Sequence, residues 1–340
     1  MWAANADILL AKRAHTVILY AMMPTSDRNK ELPSTLSDCV WCPRECHADR
    51  YSGRASYCRA GTGFPVAAVC THRGEEPVIS GELGICNVFF AHCNMQCRFC
   101  QNHQISRNDT PLDRWEMALS TVLSRIETIL DTGINRVGFV SPSHVIPQML
   151  SVMDGLHADG YHPIYIYNTN AYDREKTIRL LDGHVDVFLP DLKYMDDSLA
   201  QKLSDAPHYV KTATQAITRM YRLKGADLTL DQRGLVTSGL IIRHLVLPGK
   251  VANSKAVLRF IAEELSVDVH ISLMAQYRPT PAVADHEVLG RTVSPEEYDE
   301  VTDELERLGF HRGWVQELSS TEVYVPDFGR TDPFEGPSPQ

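Results

Sequence analysis

The chain has 340 residues, 44% of them hydrophobic, and carries 33 Lys and Arg against 43 Asp and Glu, a formal net charge of -10. That length and apolar content can bury a large core, within a single domain if the fold is an α/β barrel. The negative charge repels phosphate backbones and sets nucleic acid aside as a partner, and no stretch is long and apolar enough to predict a membrane span.

Residues 1–38 read as an N-terminal appendage and linker. The most apolar part, Ile8 to Met23, is interrupted by Lys12, Arg13 and His15 and preceded by Asp7. It fits a short amphipathic helix better than a secretory signal, with an organellar presequence as the alternative. Residues 39–80 form a segment rich in Cys, Arg and Gly with little periodicity. All nine cysteines lie between Cys39 and Cys100. A disulfide framework spreads its thiols over the parts it staples, whereas clustered thiols at short spacing indicate metal ligation in a reducing compartment, so a cytoplasmic location is expected. Cys39, Cys42, Cys46 and Cys58, in the pattern Cys39-x2-Cys42-Pro43-Arg44-x-Cys46, supply four ligands. Four thiolates close a structural site, holding either zinc or an auxiliary iron–sulfur cluster. Cys70 and Cys86 stand apart and read as small buried hydrophobes.

Over residues 81–325 strands and helices alternate. Strand-like runs occur at Cys86–Ala91, Arg136–Val140, Pro163–Tyr167, Val185–Leu189, Leu240–Leu247 and Val269–Met274. A helix is predicted over 111–131 with Thr110 as N-cap and Pro111 at its first position. Further helices are predicted at Val145–His157, Arg174–Leu181, Tyr209–Lys224 and Ser254–Leu265. Ser294-Pro295-Glu296-Glu297 is a capping box for a last helix ending near Leu308. Such alternation implies parallel strands with right-handed crossovers, in a partial (β/α)6 barrel or a doubly wound sheet. The tail, 326–340, is rich in Pro, Gly, Asp and Ser and is expected to be loosely ordered.

The motif that carries chemistry is His92-Cys93-Asn94-Met95-Gln96-Cys97-Arg98-Phe99-Cys100-Gln101-Asn102, directly after the first predicted barrel strand. Three thiolates at C-x3-C-x2-C spacing can each hold one iron of a [4Fe-4S] cubane, which leaves the fourth iron open. An open coordination position is what a catalytic metal needs, and the C-terminal end of a barrel strand is the catalytic face. The alternative is a zinc site with His92 or His103 as fourth ligand.

These residues resemble the radical S-adenosylmethionine (SAM) superfamily, in particular its pyruvate formate-lyase-activating-enzyme-like (PflX-like) branch. The resemblance runs from residue 39 to residue 318 and includes Phe89-Phe90, Phe99-Cys100-Gln101-Asn102 and Ile105-Ser106. It implies a partial (β/α)6 TIM-like barrel with an N-terminal cysteine-rich metal-binding module. It also implies reductive cleavage of SAM, by a [4Fe-4S] cluster on Cys93, Cys97 and Cys100, to a 5'-deoxyadenosyl radical that abstracts hydrogen from a substrate. The electron donor would be a reduced flavodoxin or ferredoxin. The substrate would be a glycine Cα–H of a partner glycyl-radical enzyme, with another protein, a peptide or a small molecule as alternatives. Phe99 would lie near the adenine. Ser141, Ser143 and His144 match a Thr-Pro-Thr-His-like element at the second strand end, although typical activating enzymes carry a Gly-Gly-Glu-type loop there. Asn168 and Asn170 follow the third strand. Asp191 and Lys193 match an Asp-Leu-Lys element, whose lysine would reach the SAM carboxylate. Arg243, flanked by apolar residues so that an inward aim needs an anionic partner, matches an Arg-x-x-x-x-Pro-Gly segment and would meet the SAM carboxylate, with a structural salt bridge to a barrel acid as the alternative, and Gln276 ends the sixth strand. Each of these also has a bland reading, as a polar turn, an ion pair or a cap. A non-enzymatic zinc-binding scaffold is the reading from another class.

Overall fold

A computed structural model describes residues 36–53, 56–322, 326–330 and 332–334. The expected helix within Ile8–Met23 lies outside these residues. Seven strands run parallel and side by side in sequence order: β2 (Ile85–Phe90), β4 (Arg136–Val140), β5 (Ile164–Thr169), β6 (Val187–Pro190), β8 (Val236–Leu245), β9 (His270–Met274) and β10 (Gly313–Val315). A doubly wound sheet reverses its strand order at a switch point, and no reversal occurs here, so the architecture is the partial barrel. The free side of β2 is occupied by antiparallel β1 (Phe64–His72), which pairs in turn with β3 (Glu116–Met117). A short β7 (Thr229–Leu230) pairs with β8.

β1 lies inside the segment expected to be irregular. Five of its nine residues are buried, in adjacent runs, so it offers no alternation to read. The expected helix over 111–131 begins only at Leu119. Buried Trp115 packs with Ala68 and Phe89, and Met117 pairs with Phe64, which draws 113–117 onto β1 as a 3-10 turn and strand. Thr110 caps no helix: its hydroxyl donates to the Arg107 carbonyl.

The connecting helices are α1 (Pro77–Ser80), α2 (His103–Ser106), α3 (Leu119–Leu130), α4 (Ile146–Ala158), α5 (Glu175–Leu180), α6 (Asp197–Ser204), α7 (Tyr209–Lys224), α8 (Val251–Glu264) and α9 (Pro295–Arg307). The Ser294 capping box on α9 forms as expected, with both reciprocal bonds present. Strand residues alternate by period two. Phe139, Tyr165, Tyr167, Phe188 and Ile242 join Val122, Ile126, Val152, Ile217 and Met220 in the outer core. Ile85, Ile166, Val187, Leu189 and Ile241 face inward and close round Ile79 of α1, which plugs one end of the bore. Above this plug the bore turns polar, at Asn87, Arg243 and Ser272. Gly138 carries no Cβ where the Asn87 amide lies, which leaves Asn87 free to donate to Glu75 at 2.8 Å.

Of the tail, residues 326–330 and 332–334 are described. The Phe328 and Phe334 rings lie 5.3 and 5.7 Å from Phe89, which fixes this part on the barrel wall. Among the described residues no helix is long and apolar enough to cross a membrane.

Candidate active site

The loop after β2 is fixed from every side. The His92 amide donates to the Ile105 carbonyl of α2, and the Gln96 and Arg98 amides donate to the Ser204 and Leu203 carbonyls at the end of α6. Asn108 brackets Cys93, accepting from its amide at 3.1 Å and donating to its carbonyl at 3.0 Å. Asn94 donates to the Tyr172 carbonyl at 2.7 Å and accepts from Asn170 at 2.9 Å. So held, the loop turns Cys93, Cys97 and Cys100 toward one cavity of about 180 Å³.

That cavity gathers most of the residues expected from sequence: Phe99, Ser141, Asn168, Asn170, Asp191, Lys193, Arg243 and Gln276 all line it with the three cysteines. Ser143 and His144 do not. Ser141 adopts a left-handed φ of 54°, and the 3-10 turn that follows drives both side chains into the packed layer beneath. Ser143 bonds the Thr169 hydroxyl, and His144 Nε2 bonds the Ala91 carbonyl at 2.9 Å. Burial pushes His144 down to about 3, so it is neutral. These two residues shape the wall and do not face the cavity.

The cysteines sit among donors. Cys97 Sγ accepts from the Ser204 hydroxyl at 3.0 Å, and Cys93 Sγ from the Met95 amide and Asn170 at 3.4 Å each. Burial raises the Cys93 thiol to about 12 and the Cys97 thiol to about 11, and Lys193 pulls against it at both. Burial would neutralise Lys193 as well. Asp191, at 2.6 Å, outweighs that and holds the ammonium charged. The Tyr209 hydroxyl fixes this corner through the Asp191 and Asn170 carbonyls, both at 3.0 Å.

Arg243 is not a free cation. Its Nε donates to Glu76 at 2.7 Å, and a terminal nitrogen donates to both Glu76 and Glu75. The structural ion pair weighed against the SAM-carboxylate role is therefore present, and an anionic ligand would meet a guanidinium already paired from below. Burial opposes the charge on Glu75, but Arg243 prevails and brings its carboxyl down to about 2.

Three soft thiol donors lining one cavity are a donor set that would suit a cubane cluster. Among the described residues no group of three or more His, Cys, Asp or Glu side chains is placed to hold a single metal ion. No histidine and no fourth cysteine is among the residues lining that cavity. His92 points away, its ring nitrogens against the Cys58 and Thr110 carbonyls at 2.8 and 3.1 Å, and His103 is not at the cavity wall. A second cavity of about 530 Å³ adjoins the first, sharing Gln101, Asn102, Val140, Asn168, Arg243, Met274 and Gln276.

Asn108, Tyr209 and Ser204 hold the site from separate elements, with no spacing signal in the sequence. Asn94 lies inside the cysteine motif, but its partners Tyr172 and Asn170 are distant in sequence.

No family model matches the chain. Among curated proteins it is 26% identical to an uncharacterized protein of Methanocaldococcus jannaschii, over 79% of this chain and 75% of that one. It is 25% identical to lipoyl synthase of Beutenbergia cavernae over 37% of this chain and 39% of the synthase. Among solved structures, it aligns with a domain of pyruvate-formate lyase-activating enzyme from Bacteroides vulgatus at TM-score 0.36 and 18% identity, covering 49% of this chain and 91% of that domain. It also aligns with Escherichia coli coproporphyrinogen III oxidase (HemN), described as a radical SAM enzyme, at TM-score 0.45 and 13% identity, covering 66% of this chain and 52% of the oxidase. Both scores lie below 0.5, so function is reasoned from the chain's own residues.

Proposed function

We propose that the chain is a radical SAM enzyme whose [4Fe-4S] cluster is held by Cys93, Cys97 and Cys100. The observation that carries this is the convergence of three thiols from one loop on a cavity at the C-terminal mouth of a parallel barrel, with no cysteine or histidine among the other lining residues. When bound, the cluster and SAM together supply one-electron cleavage of a sulfonium C–S bond and a 5'-deoxyadenosyl radical. The chain's residues orient and enclose. Lys193 presents a positive charge to a carboxylate, held in place by Asp191. Asn168, Asn170, Ser141 and Gln276 offer hydrogen bonds to amine and ribose, and Phe99 offers a ring face, itself packed 5.9 Å from Tyr277. Ser143 and His144 support the wall from behind.

The adjoining cavity of about 530 Å³ is the place for the substrate hydrogen. The resemblance of the cysteine loop favours a glycine Cα–H in a partner glycyl-radical enzyme, with a reduced flavodoxin or ferredoxin as donor. Protein reconstituted without oxygen, reduced and given SAM, should form 5'-deoxyadenosine. Zinc without iron or sulfide, together with no product, would refute the reading. Deuterium transfer from a glycine-labelled partner protein, or its absence, decides the substrate class.

A further inference from the structure

The cysteine-rich segment ahead of the barrel folds as a knuckle. The Trp41 amide points to the Cys39 sulfur and the Arg44 amide to the Cys42 sulfur, the same two-residue spacing that joins the Met95 amide to Cys93. Left-handed φ values at Glu45 (38°) and His47 (50°) turn the chain back, so that Cys39 and Ala48 pair across the turn. Cys39, Cys42 and Cys58 are 2%, 5% and 4% exposed, and only Cys46 is open to solvent.

A cation is buried in the midst of these thiols. Arg50 is 4% exposed. One terminal nitrogen donates to Cys39 Sγ at 2.9 Å and to the His144 carbonyl at 2.7 Å. Its Nε and its other terminal nitrogen are buried without a partner. A guanidinium does not deprotonate, and burying it without an anion is expensive. The groups whose charge it would feel are the sulfurs of Cys58, Cys39 and Cys42. Neutral thiols do not meet that demand, whereas metal-bound thiolates do.

We propose that Cys39, Cys42, Cys46 and Cys58 bind a second metal centre, and that Arg50 is the counter-charge of its thiolates. Binding releases the four thiol protons to solvent, and the sulfurs then accept from the unpartnered Arg50 N–H groups. As the side chains stand no three of these sulfurs converge on one point, so the site forms by rearrangement of the cysteine side chains as the metal binds, the exposed Cys46 among them. The metal is thiophilic, either a zinc ion or an iron–sulfur cluster.

The centre would clamp the loop of Cys93. Arg44, stacked 3.6 Å from the Tyr57 ring, donates from Nε to the Asn94 carbonyl at 2.9 Å. The Cys58 carbonyl meets His92, and the Tyr57 carbonyl accepts from Asn108, which holds Cys93. Metal binding is independent of the function proposed above, and only this consequence rests on it.

The full-length variant Cys93→Ala/Cys97→Ala/Cys100→Ala tests the site without SAM. It should retain one zinc, or iron with sulfide, per chain by elemental and sulfide analysis. A variant folded by circular dichroism yet free of metal would overturn the proposal. Arg50→Gln keeps all four ligands and should weaken metal retention against a chelator about 10- to 100-fold. Unchanged retention removes Arg50 from the site. Arg44→Ala should keep the metal and speed amide exchange at 93–98 about tenfold, while exchange in β4 and β5 stays the same; unchanged exchange at 93–98 removes the clamp.

Discussion

The two cysteine loops use similar local devices for different ends. In each, a backbone amide two residues on points at a cysteine sulfur. In each, a serine hydroxyl also lies near a sulfur, Ser204 at 3.0 Å from Cys97 and Ser56 at 3.4 Å from Cys58. The loop after β2 gives three thiols to a cavity walled by amides, Lys193 and Asp191. The front loop gives four, three of them buried against a guanidinium. A site for chemistry keeps a coordination position open, and a site for architecture closes it.

The largest effect should come from removing a thiol on the open side. Cys97→Ala takes away one of the three proposed cluster ligands, and 5'-deoxyadenosine formation under reducing, anaerobic conditions should fall below detection. Cys42→Ser removes a proposed ligand of the front centre and should leave part of that activity while losing that metal. Equal activity losses would erase the distinction between the loops.

The buried arginines extend the contrast, since Arg243 holds two carboxylates where Arg50 donates to one thiol, Cys39. Arg243→Met strands Glu75 and Glu76 and should cost about 3–5 kcal/mol by urea unfolding at pH 7. Acid sharpens the test. Glu75 is depressed to about 2 from its ordinary 4.5, so its contribution is complete above 4.5 and is lost as pH falls toward 2. In the variant the unpaired carboxyls resist ionisation, and acid relieves them. The gap between the two proteins should therefore narrow from pH 7 to pH 4; a gap of constant width would contradict the pairing.

Asn108→Ala comes next. It leaves the Cys93 amide and the Cys93 and Tyr57 carbonyls without their side-chain partner. About 1–3 kcal/mol should be lost, with faster exchange at Cys93.

How much of this was legible beforehand follows from where the partners lie. Six of the seven parallel strands and the cysteine loop could be read because alternation and spacing are local, whereas β10, three residues long, carries too little pattern. Asp191 and Lys193 could be read for the same reason, being two residues apart at a strand end. Arg243 could be placed inside the bore from its apolar flanks, but its acids lie some 170 residues earlier. Ser143 and His144 were misdirected because one left-handed residue, Ser141, sets the direction of the turn. β1 gives no such signal because its buried residues do not alternate. Ser204 could not be found at all, since it ends a helix that meets the loop only through the fold.

Ser204 provides the finest test. Its hydroxyl lies between the Tyr194 hydroxyl, at 2.7 Å, and Cys97 Sγ. Ser204→Ala should cost only about 0.5–1.5 kcal/mol per bond lost, which the barrel can absorb. A hydrogen bond to a cluster sulfur stabilises the added electron, so its loss should make the cluster harder to reduce in a titration followed by electron paramagnetic resonance. Ser56→Ala changes a similar contact in the front loop, and should leave that potential where it was. If both substitutions shift it, the front sulfurs belong to the redox site; if neither does, Ser204 only packs.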